Sequence, residues 1–527
     1  MIVRDRARSA GVALLAILAF LFAVPPGGAR ADAVVNAPDT VAIGSGQVQG
    51  GLGDGYRLFD GIPYAAPPIG DLRWRPPQPP APWPGVRTAR TAGPSCPQQT
   101  GIGGPRSNDE DCLYLNVWTP RTLPSDRALP VMVWLHGGGF ESGSGSMYGA
   151  APLISQPDGD SIVVTVNYRL GAFGFLAASA LDEGAGAGDY GLMDQQAALR
   201  WVQRNIGAFG GDAGRVTVAG ESAGAIAICA QLAAPSSAGL FQAAIMESGP
   251  CSAQSLPQAE KAGDAWAQRN GCPGPGAAAC LRALPAAQLV DQPLDPSNAV
   301  YGNAFLPQDP TVALKSGASR PVPTLVGSNH DEMALWAWMK YGIPFGSQLA
   351  AADYPQALVT SLDITPAQAD RVQQEYPLTA FPQPAQAITR AWTDDMVCGA
   401  SEEKAEFGRR SPTYVYEFDD PAPVAPPSTF PMGAYHASEL PSLFDLAEAG
   451  GFLNGVMSPD QRRLAAEMRR YWMHFVIDHR ADPAGLPAIP QYDSGSAQFI
   501  SFRPAGSVIA DSFDADHRCD FWSGLTP

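Results

Sequence analysis

Residues 216–225, Val-Thr-Val-Ala-Gly-Glu-Ser-Ala-Gly-Ala, constrain this chain more than any other stretch. The β-branched run at 216–218 reads as a buried strand, and the apolar run at 225–234 as a buried helix. Between them lies Gly220-Glu221-Ser222-Ala223-Gly224, and Gly-x-Ser-x-Gly occurs only once in the chain. A strand that turns into a helix through this pattern holds its serine on a sharp, strained elbow. Ser222 must then adopt unfavourable φ/ψ, and glycines two residues to either side relieve the crowding. Its hydroxyl stands at a helix N-terminus. There the dipole and the N–H of Ala223 favour a developing oxyanion.

A second glycine cluster completes the idea. Residues 131–135, Val-Met-Val-Trp-Leu, read as a buried strand, and His136-Gly-Gly-Gly-Phe140 follows at once. Glycines after a buried strand let the backbone approach a ligand and point N–H groups at it. Gly138 and Gly139 join Ala223 as expected oxyanion donors.

The remaining pattern is that of an α/β protein. Strands are expected near 161–167, 243–246 and 323–327, and a helix over 193–206. Strands alternating with helices imply a parallel sheet covered on both faces. Residues 34–118, broken by Gly and Pro, read as antiparallel strands and long loops. Residues 334–410 read as amphipathic helices bearing Trp336 and Trp338, a cap over the site. A strand is expected at 414–418, a helix at 461–479 and a last strand at 498–502. No linker divides 34–527, which is read as a single domain.

A serine hydroxyl needs a base of pKa near 7 and an acid to orient that base. The chain has six histidines: 136, 330, 436, 474, 479 and 517. In this elbow architecture the order is serine, acid, histidine, with the histidine on a loop after a late strand. His436 fits, following the 414–418 strand through a Pro/Gly-rich loop. His136 belongs to the glycine cluster, and His474 and His479 lie on a helix. The strand end at 323–327 offers both Asp331 and Glu332 as the acid, and spacing does not choose between them.

The first residues carry Arg4, Arg6 and Arg8, an apolar run from 11 to 24, and Ala-x-Ala sites ending at Ala31 and Ala33. This is the form of a cleaved export signal over 1–31. Its removal takes four Arg and one Asp, so the net charge of −17 becomes −20. No basic field exists to attract nucleic acid, and no later segment is apolar enough to anchor in a membrane. An exported chain makes its eight cysteines candidates for disulfides. Cys96 with Cys112 and Cys272 with Cys280 would close short loops. Cys398 with Cys519 would tie back the C-terminus. Cys229 and Cys251 could meet or stay as buried thiols.

Taken together, Glu110-Asp-Cys-Leu-Tyr-Leu-Asn116, His136-Gly-Gly-Gly-Phe140, Asn167-Tyr-Arg-Leu-Gly171, Asp194-Gln195, Phe209-Gly-Gly-Asp212, Gly220-Glu-Ser-Ala-Gly224 and His436-Ala-Ser-Glu439 resemble the type-B carboxylesterases. That family includes cholinesterases and bacterial p-nitrobenzyl-type esterases. The resemblance implies an α/β-hydrolase fold: a large, mostly parallel central sheet with helices on both faces and a helical cap. It implies a small-molecule ester substrate and no metal or organic cofactor. Ser222 becomes the nucleophile, Glu332 the acid, His436 the base, and Gly138, Gly139 and Ala223 the oxyanion hole. It supports Cys96–Cys112, Cys272–Cys280 and Cys398–Cys519. Met333 stands where the family commonly has Gly, and Ala213 where it commonly has Pro. The Cys96–Cys112 loop holds no aromatic residue, which counts against cholinesterase-like binding of a quaternary ammonium. Rival readings are an inactive adhesion module on the same fold, against which every catalytic position is filled, and an esterase directed at polyesters or lipids.

Overall fold

The computed structural model describes residues 34–525, apart from 37, 102, 157–159, 185, 343–348, 426–429, 447–452 and 454. The expected export signal at 1–31 lies outside these residues. Eleven strands form the main sheet: β1 (Gly51–Leu52), β2 (Tyr56–Pro63), β3 (Tyr114–Pro120), β4 (Leu129–Leu135), β5 (Ile162–Val166), β6 (Gly211–Glu221), β7 (Ala243–Glu247), β8 (Thr324–Asn329), β9 (Thr413–Phe418), β10 (Phe499–Phe502) and β11 (Val508–Ala510). Their spatial order is β11-β10-β9-β8-β7-β6-β4-β5-β3-β2-β1. From β5 through β10 every neighbouring pair is parallel; both edges are antiparallel.

The central strands are apolar runs because both faces of the sheet are covered. Side chains alternate across a strand, and β4 shows the consequence. Val131, Val133 and Leu135 enter one core, together with residues of helices α1 (Tyr190–Asn205) and α2 (Ala223–Ala233). Met132 and Trp134 enter the opposite core with Leu464, Met468 and Trp472, which belong to the long helix Pro459–Asp478. The expected helical stretch after β8 resolves into α3 (Ala334–Tyr341), α4 (Tyr354–Leu362), α5 (Pro366–Glu375), α6 (Pro384–Gly399) and α7 (Ser401–Arg410). Helices α4, α5 and α6 share a third core with Trp522 and Leu525 near the C-terminus.

Three differences from the sequence reading have clear causes. Strand β6 starts at Gly211, not 216, because a register shift between Gly211 and Val216 lets a Gly-rich segment pair where no apolar pattern marks it. Edge strand β11 has three residues, too few for periodicity to register. A separate sheet forms in the N-terminal region, where Thr40–Ile43 pairs antiparallel with Gly46–Gln49 but Val86–Thr88 pairs with Gly46–Gln49 parallel, not antiparallel as expected, because a long connection and not a tight hairpin joins those two strands. Four disulfides close: Cys96–Cys112, Cys229–Cys251, Cys272–Cys280 and Cys398–Cys519. The pair left open by the sequence, Cys229–Cys251, forms because α2 runs back along β7, the strand that leads into Cys251. Among the described residues, no helix is long and apolar enough to cross a membrane.

Candidate active site

The elbow forms where β6 ends and α2 begins. Ser222 sits at φ 54°, ψ −121°, a region that L side chains rarely enter. Its N–H donates to the Glu247 carbonyl oxygen at 2.8 Å, which ties the turn to β7. The flanking glycines answer a specific crowding. A Cβ on Gly224 would lie 2.0 Å from the Leu135 carbonyl oxygen, at the end of neighbouring β4. Ser222 is half-buried, and its α2 neighbour Ala223 supplies a first-turn N–H with no intrahelical partner.

Because β4 and β6 are adjacent and parallel, the loop after β4 arrives beside the elbow. Gly138 and Gly139 have φ of 107° and 64° and are exposed. Among the described residues, neither N–H has a backbone acceptor. The loop is held from beneath: Tyr168 Oη donates to the His136 carbonyl at 2.6 Å. The sequence run 167–171 is largely scaffolding. Arg169 makes a bidentate pair with Asp194, Nε to Oδ2 and Nη2 to Oδ1 both at 2.7 Å.

His436 and Glu332 come together from separate segments. His436 Nδ1 lies 2.6 Å from Glu332 Oε2, and Glu332 Oε1 accepts from the Asn329 N–H at 2.8 Å. Both side chains are buried. Asp331, the other acid open to the sequence, is occupied elsewhere: it pairs with His330 Nδ1 at 3.1 Å and accepts from the Ala434 N–H. Met333 has φ −81°, so this position makes no demand for glycine. Trp336 of α3 packs on the His436 ring, centroids 4.6 Å apart, whereas Trp338 is ordinary core.

The structure does not draw a hydrogen bond from His436 Nε2 to Ser222. Nε2 has no hydrogen-bond partner among the described residues and lies 3.0 Å from Glu221 Oε1. Catalytic hydrogen bonds are often long in the unliganded enzyme and tighten when substrate arrives. Burial alone would push the His436 pKa down. The charges and contacts of Glu221 and Glu332 outweigh it and hold the imidazole well above its ordinary value.

Sequence reasoning missed the carboxylates behind this imidazole. The parallel register sets Glu221 of β6 beside Glu247 of β7. Glu439 accepts from Asn329 Nδ2 at 2.5 Å, and Glu247 from Trp472 Nε1 at 2.8 Å. All three are buried. Burial, then Glu221, lifts Glu439 to about 8; burial, then Glu439, lifts Glu247 well above the carboxylate range. Glu221 and Glu439 both lie inside motifs visible in the sequence, but nothing there shows that they converge.

The other histidines serve elsewhere. His517 is fully buried between Asp394 and Glu417, at 2.8 and 2.7 Å. His474 pairs with Asp482 at 2.9 Å. His330, Asp516 and His517 place one ligand atom each within 4.8 Å, but every one of these side chains is already engaged with a carboxylate, a histidine or an arginine.

A cavity of about 310 Å³ opens beside Gly138. Leu170, Phe173, Leu289 and Leu294 give it apolar walls, and Gln98 and Glu141 give it a polar side; among the described residues no Lys or Arg lines it.

Known proteins match over this same extent. The model of the carboxylesterase family matches residues 37–522. Human "Cocaine esterase" is 33% identical over 521 residues, covering 92% of this chain and 90% of that protein. "Para-nitrobenzyl esterase" of Bacillus subtilis (strain 168) is 36% identical, covering 82% and 88%. A solved PNB esterase structure superposes with a TM-score of 0.76 at 31% identity, over 92% of this chain and 100% of that one.

Proposed function

The chain belongs to the carboxylesterase family, with the α/β-hydrolase fold and the activity of a carboxylic ester hydrolase, and from that premise we propose that Ser222, Glu332 and His436 carry its chemistry. The observation that supports this most is the 2.6 Å contact of buried Glu332 with His436 at the mouth of the Ser222 elbow. His436 Nε2 takes the Ser222 proton as Oγ attacks the ester carbonyl carbon. The carbonyl π pair moves onto oxygen, where the N–H groups of Gly138, Gly139 and Ala223 receive it. Collapse expels the alkoxide, which leaves as alcohol with the proton from His436. Water then repeats the cycle on the acyl-enzyme and releases the acid. Glu332 fixes the imidazole tautomer and stabilises the imidazolium.

The cavity beside Gly138 favours an uncharged substrate group of moderate size, because Leu170, Phe173, Leu289 and Leu294 offer it apolar surface, and the described lining residues include no Lys or Arg to pair with a carboxylate. The enzyme acts outside the cytoplasm. The leader at 1–31 supports this, as do four disulfides, which persist in oxidising compartments.

The test is hydrolysis of p-nitrophenyl acetate, butyrate and octanoate by the mature chain and by Ser222→Ala. Loss of kcat by roughly three orders of magnitude or more in a folded variant is the expected result. Turnover that survives the substitution on every ester would sink the assignment.

A further inference from the structure

The two glycine donors sit on a loop that must be fixed to within a fraction of an ångström to matter. The loop is a tight ring. The Gly138 carbonyl accepts from the N–H groups of both Glu141 and Ser142 at 3.0 Å. Its downstream end is Gly143, at φ +117°. A Cβ there would meet His136 Nδ1 at 2.3 Å, so no other residue fits. Both polar groups of the Gly143 backbone are taken by one side chain. Its N–H donates to Gln98 Oε1 at 2.9 Å, and its carbonyl accepts from Gln98 Nε2 at 3.1 Å. Gln98 Nε2 also donates to the Cys96 carbonyl at 3.2 Å, and the side chain is buried. Cys96 is bonded to Cys112, which lies just ahead of β3. A continuous path therefore runs from the central sheet, through a disulfide and an amide, to the donor loop.

We propose that Gln98 is a positioning residue: it clamps Gly143 at both hydrogen-bonding groups and so sets where the Gly138 and Gly139 N–H groups point. This rests on the assignment of those glycines as oxyanion donors. It goes further, because it makes the Cys96–Cys112 loop part of the catalytic apparatus, with a task that no aromatic residue in that loop is needed for. An amide suits the task because it offers one acceptor and one donor side by side, matched to the N–H and C=O of one residue. Methionine has similar size and offers neither. Glutamate keeps the acceptor but sets a second oxygen against two carbonyls, unless its carboxyl is protonated.

The experiment compares the mature enzyme with Gln98→Met and Gln98→Glu on p-nitrophenyl butyrate, with Ser222→Ala in parallel. In Gln98→Met, kcat should fall about ten- to a hundredfold, less than the loss of a donor outright, with KM within about twofold. Affinity for a trifluoromethyl ketone, which forms the tetrahedral adduct, should weaken by the same factor as kcat/KM. In Gln98→Glu, kcat relative to wild type should rise as pH is lowered from about 8 to about 6, because the protonated carboxyl restores the missing donor. A role limited to stability would leave that ratio flat. If Gln98→Met does not fold, the pH trend of Gln98→Glu decides alone. Folded variants with wild-type kcat, or with raised KM at unchanged kcat, overturn the clamp and make Gln98 a pocket wall. Unchanged turnover in Ser222→Ala instead removes the site assignment on which the clamp depends.

Discussion

Replacing Glu221 by glutamine keeps the shape of the site and removes one charge. Glu221 Oε1 lies 3.0 Å from His436 Nε2, and both side chains are buried. At that separation two unit charges interact by about 1.4 kcal/mol at the permittivity of water and about 5.5 kcal/mol at an effective permittivity of 20. One pKa unit corresponds to about 1.4 kcal/mol. The imidazolium should therefore lose about one unit at the least, with about four as the ceiling. The sign follows from the charge: Glu221 favours the protonated ring, so its removal makes His436 a weaker base that is neutral at lower pH. The acid limb of kcat/KM reports the base of the free enzyme. Measured on p-nitrophenyl butyrate from about pH 5 to about pH 10, that limb should move down by one unit or more. The plateau should fall as well, since a less basic imidazole drives proton transfer less strongly. An acid limb that stays within about 0.3 units of wild type would refute the electrostatic reasoning, because even the water-like limit demands more.

Other substitutions separate packing from chemistry. Gly224→Ala drives a methyl to 2.0 Å from the Leu135 carbonyl, a contact with backbone that cannot swing aside, and urea unfolding should show a loss of about 3 kcal/mol or more. Gly139→Ala meets nothing within 4 Å, so it should cost stability only the strain of its φ, roughly 1 kcal/mol, while its methyl disturbs the donor loop and kcat falls. Lys404 on α7 is buried without a hydrogen-bond partner, and burial pulls its pKa from 10.5 to about 8. Glu417, Asp514, Glu332 and Glu403 pull the other way. Between those values the unfolded chain binds the proton and the folded chain does not, so stability rises with pH there. Lys404→Met should accordingly stabilise the protein at neutral pH by as much as roughly 3 kcal/mol, a gain that vanishes by about pH 10.5. Denaturant titrations at the two pH values check it.

Much of the site is legible in sequence because its parts are local. The elbow is contained in ten consecutive residues, and the glycine loop follows its strand directly. The acid was ambiguous for a local reason too: Asp331 and Glu332 are neighbours, and only the tertiary contacts of each distinguish them. What the sequence hid depends on register. Glu221 and Glu247 are 26 positions apart and become neighbours only through the parallel pairing of β6 with β7. Gln98 and Gly143 meet across 45 positions. Cys229 and Cys251 were undecided because their meeting depends on how α2 packs along the sheet, not on spacing. Polar contacts of this kind leave no periodic trace, whereas buried strands do.

The hidden carboxylates change how the proposed triad must work. Glu221 and Glu332 face one imidazole, and Glu247 and Glu439 lie close enough to Glu221 to feel its charge, all four buried. Like charges so crowded cannot all ionise. Glu439 and Glu247 are the groups displaced upward, Glu439 to about 8 by burial and then Glu221, and Glu247 by burial and then Glu439. Two carboxylates face His436 at its ring nitrogens, Glu332 at Nδ1 and Glu221 at Nε2, and together they raise its pKa. A base set above its ordinary value is a stronger proton acceptor once neutral, but less of it is neutral at pH 7. Activity should therefore climb through the mildly alkaline range instead of levelling off near pH 7.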